Sequence, residues 1–102
     1  MKNNLISILI TNYNKSQFLK KSLKSIQTQQ YKNYEIIIFD DASTDNSIEI
    51  IKKFKKMKLV INKKKIYSCP ALNQIYGLKK AFLKSRGKII CLMDADDYFK
   101  KN

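Results

Sequence analysis

The chain has 102 residues, 44% hydrophobic and 11% aromatic, which is enough for one compact domain and too apolar for a disordered tail. No apolar run approaches the roughly 20 residues of a membrane span, and residues 1–5 lack the apolar stretch of a signal peptide, so the expected setting is cytoplasmic. With 21 basic against 8 acidic residues the net charge is +13, which suggests an anionic partner. All but one of the 21 cations are lysine, Arg86 being the exception; coding bias explains this equally well, and base-reading proteins lean on arginine.

Residues 5–10 form a short apolar run rich in β-branched side chains, read as a buried strand. From Lys15 the period changes: Leu19, Leu23 and Ile26 share one helical face, with Asn14 or Ser16 as the cap. Residues 35–39 give a second strand that ends at Asp40 and Asp41. Ser43 or Thr44 then caps a second helix whose apolar face carries Ile48, Ile51 and Phe54 or Ile50. Leu59–Ile61 makes a third strand, followed by a basic loop over 62–70. Pro70 suits the first turn of a third helix with Leu72, Ile75, Phe82 and Leu83 as its buried side; Gly77 weakens it slightly, and Gly87 ends it. Residues 88–93 form a fourth strand that runs into Asp94. Strands alternating with helices imply βαβ units with right-handed crossovers: an α/β, Rossmann-like open parallel sheet of four strands and three helices.

The lack of histidine excludes Ser-His-Asp and Cys-His catalysis and histidine-ligated zinc. Cys69 and Cys91 are far apart, match no metal knuckle and are expected to be reduced. Six of the 8 acidic residues fall in two clusters, Asp40, Asp41 and Asp45, then Asp94, Asp96 and Asp97. Clustered like charges cost energy unless a cation sits among them. In open α/β sheets ligands lie off the carboxyl ends of the strands. Thr11–Asn14, Asp40–Ser43 and Asp94–Asp97 all fall there, so three separate segments converge on one edge.

Asp94 and Asp96, with Asp97 next to them, offer oxygen ligands for a hard divalent cation such as Mg²⁺ or Mn²⁺, which bridges a diphosphate and stabilises it as a leaving group. The competing reading is an acidic helix start after the strand. Asp41 is placed to accept hydrogen bonds from a base or ribose, or else serves as a turn residue before Ser43. Tyr13 either stacks on a nucleobase or covers the core. Lys63, Lys64 and Lys65 either hold phosphates or form a solvated charge run.

Three segments resemble the family 2 glycosyltransferases of GT-A fold in order and spacing: Ser7–Asn14, Tyr34–Asp45 with its DDASTD run, and Gly87–Asp97 with its MDADD run. The resemblance covers nearly the whole chain and implies metal-dependent, inverting transfer of a sugar from a nucleotide diphosphate donor, UDP in first place, to a glycan or lipid-linked acceptor. By the same resemblance Thr11 and Tyr13 line the nucleotide pocket, with the tyrosine on the base. Asp41 matches the aspartate that contacts uracil, Asp94 lies near the ribose and the metal's water shell, and Asp96 ligates Mn²⁺ or Mg²⁺; Asp97 is a secondary candidate.

The chain departs from the family pattern at Thr11, where proline is common, and at Tyr67 and Leu72, where the family has glycine and arginine; Ala71 and Asn73 keep their places. Family catalytic domains run to about twice this length, so residues 1–102 are expected to be the nucleotide-binding half of a domain that stops after the D-x-D motif. Single displacement needs a general base for the acceptor hydroxyl, and none is identified in the chain; it is expected beyond Asn102, which would leave the fragment inactive alone. The resemblance also implies peripheral contact with the inner membrane face, to which the lysine-rich helices would contribute. Two rival readings are a receiver-type signalling domain, which needs an acidic pair after the first strand and a fifth strand, and a basic module binding nucleic acid or other anions without specificity.

Overall fold

The structure, a computed structural model, describes residues 4–100; Met1–Asn3 of the N-terminal stretch, and Lys101 and Asn102, lie outside the described residues. The elements are β1 (Ile6–Asn12), α1 (Ser16–Gln27), β2 (Tyr34–Asp41), α2 (Ser47–Lys52), β3 (Met57–Asn62), α3 (Pro70–Leu83) and β4 (Ile89–Asp94). All pairings are parallel and the strand order is β3-β2-β1-β4, the expected four-stranded sheet with three helices. The chain steps from β1 to β2 to β3 in one direction, then crosses back to place β4 on the far side of β1. The crevice between β1 and β4 is therefore the point at which the strand order reverses, where sheets of this kind open a ligand site.

Side-chain alternation along the strands divides the core into two layers. On one face Ile8, Ile10, Ile36 and Ile38 pack with Leu19, Leu23 and Ile26 of α1 and Ile51 of α2. On the other, Leu9, Ile37 and Phe39 pack under Ala81 of α3. Each buried Leu, Ile or Phe contributes about 1.5–3 kcal/mol by leaving water. Among the described residues no helix is long and apolar enough to cross a membrane.

The third helix differs from its expected packing. Leu72, Ile75, Phe82 and Leu83 are exposed, and the side facing the sheet is Asn73, Gly77 and Ala81. Small residues let α3 approach so closely that a Cβ on Gly77 would stand 2.5 Å from the Phe39 ring. Gly77 is thus required by contact and is no mere weak point. The helix ends at Leu83 with Lys84 as its cap; Gly87 lies beyond, pressed against Ser7 at the start of the sheet.

The two remaining caps also differ from expectation. Helix α1 is preceded by Lys15 and α2 by Asn46, and neither receives a hydrogen bond from its own cap side chain. Asp45 serves both helices: its carboxylate accepts from the Ser16 N–H at 3.0 Å and the Ser47 N–H at 2.9 Å. One carboxylate satisfies free N–H groups of two helix starts.

Candidate functional site

The loops after β1 and β2 are tied together. Asn14 and Ala42 take left-handed backbone conformations, φ 51° and 58°, the first a common asparagine habit and the second a strained one for alanine. Asn14 Oδ1 accepts from the Thr44 and Asp45 N–H groups at 2.7 and 3.2 Å, and the Asn14 N–H donates to Ser43 Oγ at 3.0 Å. Beneath them Asp40, fully buried, accepts from the Asn12 amide at 2.8 Å and from the Ser43 N–H and hydroxyl at 3.0 and 2.7 Å. The turn role before Ser43 belongs to Asp40, while Asp41 lies in the wall of the cavity described next.

A cavity of about 320 Å³ opens at this carboxyl edge, with Thr11, Tyr13, Asp41, Asp94 and Asp96 in its wall together with Asn12, Lys15, Lys65, Asn73 and Gln74. The structure therefore brings together five of the six residues singled out from the sequence. Tyr13 is 44% exposed and so is no cover for the core. Asp41 is mostly buried and takes Asn62 Nδ2 at 3.1 Å on Oδ1 and Lys65 Nζ at 3.0 Å on Oδ2. The Lys65 ammonium also lies 3.4 Å over the centroid of the Tyr13 ring.

At the other end of the cavity Asp94, Asp96 and Asp97 are exposed, and one carboxylate oxygen from each lies within 4.8 Å of the others. Asp97, the sixth residue, is absent from the cavity wall; its carboxylate accepts from the Asp94 N–H at 3.2 Å. Gln74 donates to Asp94 at 2.6 Å, and Lys15 faces Asp96 at 3.7 Å. Residues 95–96 form a turn, not the start of a helix. An all-oxygen donor set of this kind suits hard divalent cations such as Mg²⁺ and Mn²⁺.

Sequence reasoning did not single out Lys15, Asn62 or Gln74. It left Lys65 between a phosphate contact and a solvated loop, and Asn73 as a family position without a stated task. Asn73 is buried and grips the basic loop, its Oδ1 accepting from the Tyr67 N–H at 3.0 Å and its amide donating to the Tyr67 carbonyl at 2.8 Å. Asn62, last in β3 and paired in register with Asp41, could have been found from its place at a strand's carboxyl end. Both cysteines are free.

Residues 7–102 match the model of Glycosyl transferase family 2. The chain is 36% identical over 96 residues to the Escherichia coli UDP-Glc:alpha-D-GlcNAc-diphosphoundecaprenol beta-1,3-glucosyltransferase WfaP, covering 93% of this chain and 36% of that one. It is 33% identical over 97 residues to the Methanococcus voltae dolichyl N-acetyl-alpha-D-glucosaminyl phosphate 3-beta-D-2,3-diacetamido-2,3-dideoxy-beta-D-glucuronosyltransferase, covering 93% of this chain and 30% of that one. The chain thus spans about a third of these relatives. In fold it is similar to S. aureus TarS 1–349 in complex with UDP-GlcNAc, with a TM-score of 0.79 at 22% identity over 94% of this chain and 28% of that one. It is also similar to the Pyrobaculum calidifontis mannosyltransferase PcManGT in complex with GDP-Man and Mn²⁺, with a TM-score of 0.76 at 20% identity over the same shares, 94% and 28%.

Proposed function

The chain belongs to Glycosyl transferase family 2, and from that premise we propose that residues 1–102 are the donor-binding half of a GT-A sugar transferase. The observation that carries this reading is the single cavity walled by Thr11, Tyr13, Asp41, Asp94 and Asp96, drawn from the ends of three strands. Its two ends differ in chemistry as the two ends of a nucleotide diphosphate do. One offers an aromatic face and a carboxylate, suited to a base; the other offers clustered carboxylates, suited to a cation that carries the phosphates.

In this reading Tyr13 stacks on the base, Asp41 accepts its N–H, Thr11 lines the pocket and Asp94 lies by the ribose. Asp96, with Asp94 through water and Asp97 as a secondary ligand, would hold Mn²⁺ or Mg²⁺. When bound, the cation offsets the diphosphate charge and makes it a better leaving group. The chain's own contribution is to fix the donor so that the anomeric carbon faces an acceptor hydroxyl, with inversion as the expected outcome. The base that takes the hydroxyl proton is assigned to none of these residues. The lipid-linked acceptors in the names of the two relatives support a glycan or lipid-linked acceptor, with the enzyme working at the cytoplasmic membrane face.

Exposed lysines occur on α1 and the end of α2 on one side of the sheet and on α3 on the other, so no single basic face favours nucleic acid. The test is thermal unfolding with UDP, with and without Mn²⁺, on the wild type and Asp96→Ala. Ligand at about 100 times its Kd adds roughly 2.7 kcal/mol, several degrees for a domain of this size. The expected result is a metal-dependent rise in Tm that the substitution abolishes; no rise with any nucleoside diphosphate would sink the reading.

A further inference from the structure

The three carboxylates at the cation end of the cavity are held differently. Asp94 accepts from the Gln74 amide at 2.6 Å, and Asp97 from the Asp94 N–H at 3.2 Å. Among the described residues Asp96 accepts no hydrogen bond, and its one charged partner is the Lys15 ammonium at 3.7 Å. That separation is too long for a hydrogen bond. Both side chains are also nearly half exposed, 46% and 43%, so the pair adds little to stability.

Lys15 does not suit its place in the chain either. It is the N-cap of α1, its side chain makes no cap bond, and the first turn of the helix has no acidic residue. Serine, threonine, aspartate and asparagine are the favoured residues at such a position, and a cation there opposes the helix dipole. Lys15 therefore stabilises neither its helix nor, to any extent, its ion pair. What it does have is a place in the cavity wall, beside Asp94 and Asp96.

We propose that Lys15 is a movable phosphate-binding cation of the donor site, resting on Asp96 while the site is empty and turning to the diphosphate when the donor enters. Charge balance gives the reason. Three carboxylates against one ammonium leave the cluster with two negative charges, which a single divalent cation cancels. Without Lys15 the cation-loaded cluster would stay negative and repel a diphosphate at close range. With Lys15 it is neutral. The side chain is free to make the move, because its four-carbon stem is flexible and its ammonium has three protons to offer phosphate oxygens. For a divalent cation alone the effect is reversed, since the ammonium competes with it for Asp96. Lys15 thus loosens the empty site's hold on a cation and tightens its hold on the donor, so that the two load together.

The proposal rests on the reading of the cavity as a donor site, and calorimetric titration separates the two. Mn²⁺ alone, and then UDP with Mn²⁺ in excess, are titrated into the wild-type chain, Lys15→Met, Lys15→Arg and Asp96→Ala. Low salt is used, where charge effects are least screened. Lys15→Met is expected to bind Mn²⁺ about fivefold tighter and UDP about tenfold weaker than the wild type. Lys15→Arg keeps the charge and is expected to stay within about threefold of the wild type for both ligands. Opposite signs are the signature, because a damaged fold weakens both. Losses in both titrations, or a UDP affinity that Lys15→Met leaves unchanged, would overturn the proposal. So would tighter UDP binding by Lys15→Met, which would make the ammonium a rival for the place of the diphosphate. Any of these results leaves the donor site standing if Asp96→Ala still abolishes Mn²⁺-dependent UDP binding; no UDP binding by the wild type removes both.

Discussion

Gly77 of α3 lies against Phe39 of β2 so closely that a Cβ on the glycine would sit 2.5 Å from Cδ2 and 2.9 Å from Cε2 of the ring. Helix propensity alone favours alanine at this position by about 1 kcal/mol. Packing opposes it, because the ring is 2% exposed and already meets Tyr76 edge-on at 5.9 Å, and overfilling such a contact costs about 1–3 kcal/mol. Net of the propensity gain, Gly77→Ala is expected to destabilise the chain by up to about 2 kcal/mol in urea unfolding. A midpoint at or above that of the wild type would show that Phe39 has room to move.

This contact explains why α3 was the element least legible in the sequence. On α1 the large apolar residues Leu19, Leu23 and Ile26 face the core as their spacing predicts. On α3 the same rule picks Leu72, Ile75, Phe82 and Leu83, all of which are exposed, because a helix pressed tightly on a sheet needs small residues at the contact. The strands were legible because a parallel sheet buried on both faces makes unbroken Ile-rich runs. The aspartates at their carboxyl ends were legible because topology alone brings them to one edge. What periodicity could not show was which side chains reach across that edge: Lys65 to Asp41 is a contact between residues 24 positions apart, and Asp45 caps a helix 29 positions earlier.

Glu35 sits at the opposite end of the sheet from the cavity and is 8% exposed. Its carboxylate accepts from the Ser7 hydroxyl and the Arg86 N–H, each at 2.6 Å, and pairs with Lys58 at 3.3 Å. Burial pushes this carboxyl up, but the Ser7 hydroxyl, the Arg86 N–H and the Lys58 ammonium outweigh it and hold it at about 2. A carboxyl depressed by folding adds stability above its unfolded value, near 4.5, and that stability is lost as pH falls from there through about 2. The amount at stake is about 3 kcal/mol. Urea unfolding at pH 7 and pH 2 should show Glu35→Gln losing less stability on acidification than the wild type by that order. Equal losses would mean that Glu35 is not the group titrating.

Asp45 couples the starts of α1 and α2 through the Ser16 and Ser47 N–H groups. Burial alone would raise this carboxyl, yet the donors of Ser47 and Ser16 prevail and hold it below the usual carboxylate range. Because one side chain does the work of two caps, Asp45→Ala is expected to cost about 1–2 kcal/mol, and hydrogen exchange should quicken at both the Ser16 and Ser47 amides. Faster exchange at only one of them would show that the helices are capped independently.

Asn73 anchors the basic loop that carries Lys65: its buried amide holds the backbone of Tyr67 by both N–H and carbonyl, at 3.0 and 2.8 Å. Tyr67 in turn rests edge-on against Tyr76 at 6.3 Å, so the basic loop is anchored at one point on α3 while Lys63 and Lys64 remain exposed. Asn73→Ala removes the anchor without touching Asp41 or Tyr13. Its cost to global stability is expected to be modest, about 1 kcal/mol, since the freed groups of an exposed loop can turn to water. The larger effect is local: exchange at the Tyr67 amide should approach that of an unprotected one, and UDP affinity should fall because the loop must be ordered again on binding. Protection retained at Tyr67 together with unchanged UDP affinity would show that the loop is held by something other than Asn73.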